Sequence, residues 1–250
     1  MILDWRWIVA KRIVNRKWEN GFCVTFDTIF DHSEDFAKST ILSKGDVFID
    51  AGAHCGLWSL QASKYYNRVI AFEPTRKSFK SLRTNLRMNR CNNVQAVEAA
   101  VCDKPGFARF YQWPDGPMGN SLYRDPVEYT DDYGVAGETY RIIKTVSIDS
   151  LVNVKPTVIK LDVEGAEYDA IKGAARTIRD CHPTFFIEIH KPQNEKKIVD
   201  ALPGYRWTKQ LRLMQPKGKT EFYQTHMIGR YAVKPLIDPG REPLDHAVQV

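Results

Sequence analysis

Short apolar runs alternate with stretches of helical periodicity through the middle of the chain. Apolar runs at 47–51, 68–73 and 157–162 are typical of strands buried on both faces of a sheet. Apolar side chains recur at helical spacing in 57–65 and 77–88. Because strands and helices that alternate in this order form a parallel sheet with right-handed crossovers, the pattern predicts an α/β fold.

The alternation continues to about residue 228, except across 114–144. That stretch is rich in Gly, Pro, Asp and Tyr and has no sustained period, so we expect an irregular insertion. We expect the last two strands to close the sheet as a hairpin-like edge. The further predicted elements are strands at 94–101, 108–113, 145–151, 184–190, 205–213 and 221–228 and helices at 166–179 and 194–202.

The pattern divides the chain into three parts. We predict a central domain at 44–232, an entry segment at 1–43 and an irregular tail at 233–250. Within 1–20, tryptophan and aliphatic residues alternate with Arg and Lys, which favours a basic amphipathic helix. Such a helix either packs its apolar face on the domain or lies on a membrane surface, and the sequence leaves both interpretations open.

Composition limits the classes of protein to which the chain can belong. With 250 residues and 43% hydrophobic content, it can bury one substantial core. No apolar run is as long as a membrane span. The five cysteines are scattered without metal-binding spacing, so we expect reduced thiols and a cytoplasmic protein. The net charge of +6 suits anionic partners without identifying one.

The first candidate for chemistry is the turn after the first core strand. Asp50, Gly52 and Gly56 follow in the order D-x-G-x-x-x-G, and a predicted helix begins directly afterwards. Glycines let a backbone approach a ligand closely, and the first amide groups of a helix attract negative charge. Glu73 ends the next strand, where an acid can bind both hydroxyls of a ribose. The spacing favours a nucleotide-like cofactor, but it differs from the G-x-G-x-x-G pattern of NAD sites.

Three short motifs are the most distinctive parts of the sequence. They are Val-Phe-Ile-Asp-Ala-Gly-Ala-His-Cys-Gly at 47–56, Ala-Phe-Glu-Pro at 71–74 and Ile-Lys-Leu-Asp-Val-Glu-Gly-Ala-Glu at 159–167. Over about residues 45–190, the chain resembles the FkbM family of S-adenosylmethionine-dependent methyltransferases. The resemblance implies a Rossmann-like class I methyltransferase fold, with a mostly parallel seven-stranded sheet, helices on both faces and an antiparallel edge strand.

The resemblance also implies a cofactor and an activity. The cofactor is S-adenosylmethionine, and the activity is methylation of a hydroxyl on a small molecule or a glycan. A second interpretation makes the acceptor an RNA ribose or cap, in line with the positive charge. A third is a catalytically inactive nucleotide-binding scaffold protein that engages a membrane or a partner through 1–20.

For the cofactor, we expect contacts from the glycine turn and from the acid of the next strand: Asp50, Gly52, His54, Gly56 and Glu73. His54 is expected to contact the cofactor or to pack locally rather than to catalyse. In many methyltransferases of this architecture an acid near the end of the third strand meets the adenine amine. Ala100 is at the expected place here, so that contact would come from backbone groups or from Asp103.

For the methyl acceptor, the candidates lie at the carboxyl ends of two strands that we expect to be neighbours. An alcohol acceptor must lose a proton, and Asp162, Glu164 or His190 is the candidate base. Lys160 and Glu188 each lie two residues before a strand end, and we expect them to pair or to share a network beneath the site. The acids and the histidine are possible ligands for a divalent cation, but no spacing identifies a metal site, so none is predicted.

Acceptor binding is expected from Glu188 and from the pair Asn120-Ser121. The pair lies in the irregular insertion and is familiar from the family that the chain resembles. The insertion is either a substrate lid or a surface loop, and the sequence leaves both interpretations open.

Overall fold

The computed structural model describes six stretches of the chain: 16–17, 23–24, 43–112, 120–123, 139–214 and 222–232. The strands are β1 (Arg16–Lys17), β2 (Cys23–Val24), β3 (Gly45–Ala51), β4 (Tyr66–Phe72), β5 (Val94–Val97), β6 (Ala100–Val101), β7 (Gly106–Gln112), β8 (Thr139–Val146), β9 (Val158–Leu161), β10 (Thr184–Ile189), β11 (Tyr205–Met214) and β12 (Phe222–Tyr231). The helices are α1 (Leu57–Ala62), α2 (Arg76–Met88), α3 (Glu167–Lys172), α4 (Ala175–Cys181) and α5 (Pro192–Ala201), and Ile148–Ser150 forms a 3₁₀ turn.

Seven of these strands form one sheet, in the order β5-β4-β3-β9-β10-β12-β11. The strands β5, β4, β3, β9 and β10 are parallel to one another, while β12 is antiparallel to both β10 and β11. The antiparallel strand β12 therefore lies between β10 and the edge strand β11. This arrangement confirms the predicted α/β fold, a mostly parallel seven-stranded sheet that is closed by a hairpin.

Successive residues of the central strands alternate between two apolar layers. Ile159 belongs to the layer that also contains Ile198 of α5. Phe48 and Val158 belong to the opposite layer and pack with Trp58 of α1. Since both faces of the sheet are covered, its central strands appear in the sequence as continuous apolar runs.

The strand order reverses next to β3, because β4 lies on one side of it and β9 on the other. Ligands of open α/β sheets bind beyond the carboxyl ends of the strands at such a reversal. The glycine turn follows β3, Asp162 follows β9 and His190 follows β10. The fold therefore brings the predicted site to one edge of the sheet.

A second sheet contains β6, β8 and β7, with β8 in the middle. Because β8 pairs with β7 along its whole length, the prediction of irregular structure is wrong for 139–144. The β-branched residues of this stretch favour a strand. Residues 120–123 are also described, and Ser121 forms a bridge to Tyr111 of β7. The rest of the predicted insertion lies outside the described residues.

The predicted helix at 166–179 is two helices, α3 and α4, that meet at Gly173. A Cβ atom at Gly173 would lie 2.2 Å from the carbonyl oxygen of Cys102. This close approach of two backbones requires glycine, which is also a weak helix former. The helix break therefore accompanies the contact between the α3–α4 junction and the end of β6.

The amino-terminal residues are only partly described. Arg16–Lys17 pairs with Cys23–Val24 as a short antiparallel ladder, so the predicted helix at 1–20 does not include residues 16–17. The other residues of 1–20 and the tail at 233–250 lie outside the described part of the chain. No helix that the structure describes combines the length and the apolar character that crossing a membrane requires.

Asp149, in the 3₁₀ turn, caps the first turn of α4 from outside that helix. Its Oδ2 accepts the backbone N–H of Arg176 at 2.8 Å. Its Oδ1 accepts both the backbone N–H and the hydroxyl of Thr177, each at 2.8 Å. These bonds satisfy amide groups that have no partner within the helix.

We expect Asp149→Ala to lower the free energy of unfolding by about 1–2 kcal/mol, as for the loss of other helix caps. The measurement is urea denaturation followed by circular dichroism. Asp180→Ala is the matched control, because Asp180 lies on the same helix but is half-exposed and pairs with exposed Arg179. Equal effects of the two substitutions would contradict the capping role.

Candidate active site

The turn after β3 is held in a conformation that glycine permits. Gly52 and Gly56 have φ angles of +78° and +92°. A Cβ atom at Gly52 would lie 1.7 Å from the carbonyl oxygen of Asp162, and one at Gly56 would lie 2.4 Å from Leu82. His54 between them is also left-handed, with φ +51°. The turn therefore packs directly against the carboxyl end of β9.

Glu73 lies at the end of β4 and faces this turn. Its Oε2 accepts the backbone N–H of His54 at 2.8 Å, and its Oε1 accepts that of Thr75 at 2.7 Å. The side chain is buried, and burial raises the pKa of Glu73 to about 7 although the backbone N–H groups oppose the shift. A carboxylate has about four acceptor positions, so Glu73 keeps capacity for ligand hydroxyls.

Asp50 lies beneath the turn with Lys160, its register partner on β9. Both residues are buried. Lys160 Nζ lies 3.3 Å from Asp50 Oδ1, 3.2 Å from Asp162 Oδ2 and 3.0 Å from the Gly52 carbonyl oxygen. The hydroxyl of Ser59 donates to Asp50 Oδ2 at 2.6 Å. Asp50 thus supports the turn from within the protein.

His190 is oriented by a buried carboxylate. Its Nδ1 lies 2.9 Å from Oε1 of Glu167, which is fully buried. Glu167 also accepts the backbone N–H of Gly165 at 2.8 Å and an amide N–H of Asn194 at 3.3 Å. Since Glu167 accepts hydrogen bonds from these neighbours, it also accepts from His190, and Nδ1 carries the hydrogen. The other ring nitrogen, Nε2, is directed away from Glu167.

Three carboxylates surround His190 Nε2. Glu164 Oε2 and Glu188 Oε1 each lie 3.4 Å away, and Asp162 Oδ1 lies 3.7 Å away. These side chains are partly exposed to solvent, whereas Glu167 is not. We call Asp162, Glu164, Glu188 and His190 the carboxylate–histidine cluster.

The cluster shifts the proton affinities of its members. Burial lowers the pKa of His190, but the hydrogen bond to Glu167 and the contacts with the other nearby carboxylates outweigh it and raise that pKa well above its ordinary value. Burial and the nearby charge of Glu188 raise the pKa of Asp162. Burial would also raise the pKa of Glu188, but contacts with His190 and His226 hold it well below its usual range.

The pair Asn120-Ser121 contacts both halves of the candidate site. Asn120 Nδ2 lies 3.3 Å from Thr75 Oγ1, beside Glu73. The hydroxyl of Ser121 donates to the backbone carbonyl of Glu164 at 2.6 Å. The pair therefore reaches from the Glu73 side of the edge to the carboxylate–histidine cluster.

The predicted Lys160–Glu188 network takes an indirect form. Lys160 contacts Asp162, which faces His190, and His190 in turn contacts Glu188. Lys160 and Glu188 are therefore linked through the two residues between them. Period-two geometry, together with the strand order that the family resemblance implies, predicted that they pair or share a network.

Two of the predicted cofactor residues, Ala100 and Asp103, come after the end of β5, and their contact with a cofactor stays a prediction. Ala100 is buried in β6, which pairs with β8 of the small sheet. Asp103 lies against Gly173, at the end of α3 opposite Glu167. The structure does not bring Asp103 to the carboxylate–histidine cluster.

Sequence reasoning missed Glu167, Thr75, Asn194 and His226 as parts of the site. Glu167 lies in the first turn of α3, where the helix dipole alone explains an acid. Its contact with His190 spans 23 residues and had no local signal. His226 is brought to Glu188 by the antiparallel pairing of β12 with β10.

The sequence has recognisable relatives. Residues 50–223 match the family profile described as the methyltransferase FkbM domain. Methyltransferase sdnD of Sordaria araneosa is 27% identical over 200 residues, which are 69% of this chain and 76% of that protein. The hexuronic acid methyltransferase AglP of Haloferax volcanii is 28% identical over 161 residues, which are 63% of this chain and 61% of that protein.

A solved structure has the same architecture. The crystal structure of an FkbM methyltransferase from Methylobacillus flagellatus superposes with a TM-score of 0.52 at 21% identity. The match covers 76% of this chain and 46% of that one, so the chain spans about half the length of this structural relative. At this identity the comparison establishes the fold.

We expect Lys160→Met to lower the free energy of unfolding by about 3–5 kcal/mol, because it leaves buried acids without their cation. Urea denaturation measures the loss. Adding Asp50→Asn to the same chain should recover part of it, since one buried charge is then removed. Lys172→Met is the control, because Lys172 pairs with Asp169 at the surface. A loss no larger than that of the control would contradict the role of Lys160.

Proposed function

The chain belongs to the FkbM methyltransferase family, and we propose that it transfers the methyl group of S-adenosylmethionine to a hydroxyl of a small molecule or glycan. The family match covers residues 50–223, which include both halves of the candidate site. The Haloferax relative is named as a methyltransferase of hexuronic acid, a sugar acid, which supports a glycan or sugar acceptor here.

One contact carries the proposal. Gly52, in the glycine turn, lies so close to the Asp162 carbonyl that no side chain fits between them. The turn that would hold a nucleoside is therefore adjacent to the carboxylate–histidine cluster. A transferase needs this proximity, because the donor and the acceptor must meet within about 3 Å.

The residues present fit the cofactor. When bound, S-adenosylmethionine supplies an electrophilic methyl group on a sulfonium. Gly52 and Gly56 permit the left-handed turn that packs on Asp162 and Leu82, and Glu73 beside the turn offers acceptor capacity for ribose hydroxyls. Asp50 contributes indirectly, since its contacts hold the turn in place.

The cluster is suited to an alcohol acceptor. The raised pKa of His190 favours a role as hydrogen-bond donor over the role of the base. The proton of the acceptor hydroxyl then goes to a carboxylate, Asp162 or Glu164, and the raised pKa of Asp162 favours that transfer. His190 stabilises the negative charge that develops on the acceptor oxygen.

The RNA interpretation finds less support. Ribose methyltransferases use a lysine that reaches the substrate, whereas Lys160 is 1% exposed and contacts Asp50 and Asp162. Affinity for RNA that falls steeply with salt would favour the RNA interpretation over a glycan or small molecule.

We expect S-adenosylmethionine to bind more tightly as pH rises from 6 to 8, by up to about tenfold. The pKa of Glu73 is raised to about 7, so its carboxylate is mostly protonated below this window and mostly ionised above it. The ionised form accepts hydroxyl hydrogen bonds better. Calorimetric titration at several pH values, with NAD as a parallel ligand, measures the effect.

Glu73→Gln should weaken binding and abolish its pH dependence between 6 and 8. Asp46→Asn should change neither, because Asp46 lies at the amino end of β3, opposite the site. If folded protein binds no S-adenosylmethionine, the proposed activity is wrong and a nucleotide-binding scaffold is the better interpretation.

We expect Asp162→Asn, Glu164→Gln and His190→Ala each to reduce methyl transfer, with the largest loss at least about 100-fold. Release of S-adenosylhomocysteine with a panel of uronic acids, glycans and small alcohols measures turnover. Asp180→Asn, on the surface of α4, is the control and should keep full activity. Full turnover in all three site variants would contradict the placement of the chemistry.

A further inference from the structure

We propose that Asp162, Glu188 and His190 bind one divalent transition-metal ion through Oδ1, Oε1 and Nε2. These three ligand atoms all lie within 4.8 Å of one another. Each side chain comes from the carboxyl end of β9 or β10, so the strands fix their relative positions. The ligands belong to the same edge as the proposed methyl-transfer site.

The distances between the atoms of the cluster fit coordination of one cation better than direct hydrogen bonds between the side chains. His190 Nε2 lies 3.4 Å from Glu188 Oε1 and 3.7 Å from Asp162 Oδ1, longer than ordinary hydrogen bonds of about 2.7–3.2 Å. Metal ligands lie about 2.0–2.2 Å from the ion, so two neighbouring ligands are about 3.0–3.6 Å apart. The separation of 3.4 Å lies in this range, and the separation of 3.7 Å is slightly above it. A single N–H also has one direction and cannot serve several carboxylates well. An ion among the three atoms can.

Each of the three ligands also contacts a buried residue through the atom that would not bind the ion. Glu167 lies 2.9 Å from the other ring nitrogen of His190. Lys160 lies 3.2 Å from the second oxygen of Asp162. His226, which is 3% exposed, lies 3.3 Å from the second oxygen of Glu188. Outer partners of this kind orient metal ligands and fix the tautomer of a ligating histidine.

The charge balance also favours a cation. Even with both histidines protonated, the carboxylates of the described network exceed its positive groups by two charges, and partly buried acids in such excess are costly. A divalent ion that replaces the Nε2 proton of His190 reduces this excess to one charge. The carboxylates are those of Asp50, Asp162, Glu164, Glu167 and Glu188, and the positive groups are Lys160, His190 and His226.

The donor set selects the kind of metal. Carboxylates alone suit Mg²⁺ or Ca²⁺, but an imidazole nitrogen among them favours ions such as Mn²⁺ or Zn²⁺. The ligand side chains are partly exposed, so a coordination position faces the cleft. On the proposed function, on which this role rests, the ion would replace the Nε2 proton of His190, bind the acceptor oxygen in its place and lower the pKa of the acceptor hydroxyl. Metal binding itself does not depend on that role.

The experiment is a calorimetric titration of chelator-treated protein with MnCl₂, ZnCl₂ and MgCl₂, with metal content after dialysis measured by mass spectrometry. We expect about one bound ion per chain. His190→Ala and Glu188→Gln should each weaken binding at least about 100-fold, and Glu167→Gln by about 10- to 100-fold. Circular dichroism establishes that each variant is folded.

His182→Asn is the matched control. His182 stacks on Tyr231, away from the cluster, and asparagine tolerates its left-handed backbone. It should bind the ion like the original chain. If the folded protein binds no ion, or if the cluster variants bind as tightly as the control, the inference is wrong. Tighter binding of Mg²⁺ than of Mn²⁺ and Zn²⁺ would overturn the assigned kind of metal.

Titration of the same samples with S-adenosylmethionine separates this inference from the proposed function. If the protein binds S-adenosylmethionine but binds no metal ion, the metal site is refuted and the methyltransferase proposal is left intact. Binding of the ion without S-adenosylmethionine would support the metal site and refute the cofactor assignment.

Discussion

A buried lysine ties together the two halves of the site. Lys160 Nζ lies within 3.3 Å of Asp50 beneath the glycine turn, of the Gly52 carbonyl in the turn and of Asp162 in the cluster. Removing these charges from water has a large cost, which is offset only when all the partners are in place. The position of the turn and the position of the cluster are therefore set by the same interaction, and neither can move alone without a penalty.

The sheet and the central contacts of the site were predictable because they depend on short-range periodicity. Apolar runs that alternate with helical segments specify a parallel sheet, and the carboxyl ends of neighbouring strands must meet at one edge. Period-two geometry placed Lys160 on the face of β9 that carries Asp162, and Glu188 on the face of β10 that carries His190. The register of the two strands agrees with this placement. Lys160 lies opposite Phe186, which is on the same face of β10 as Glu188.

The remaining features depend on contacts between distant segments, for which one sequence has no local signal. Glu167 has an adequate local explanation at its helix terminus, so its pairing with His190 was not foreseen. The break at Gly173 depends on the approach of Cys102, and the strand at 139–146 depends on its pairing with β7. Asn120 and Ser121 were recognised as candidates, but their contacts with Thr75 and Glu164 follow only from the fold.

The left-handed backbones of His54 and Glu164 have a consequence for the evolution of this protein. Each has φ +51°, and one lies in each half of the site, fixed by a hydrogen bond to Glu73 or from Ser121. A residue with a side chain loses about 1–2 kcal/mol in this conformation. Random mutagenesis under selection for heat resistance would therefore enrich glycine at these two positions. Selection for turnover would retain the side chains, so the two pressures act in opposite directions at the same residues.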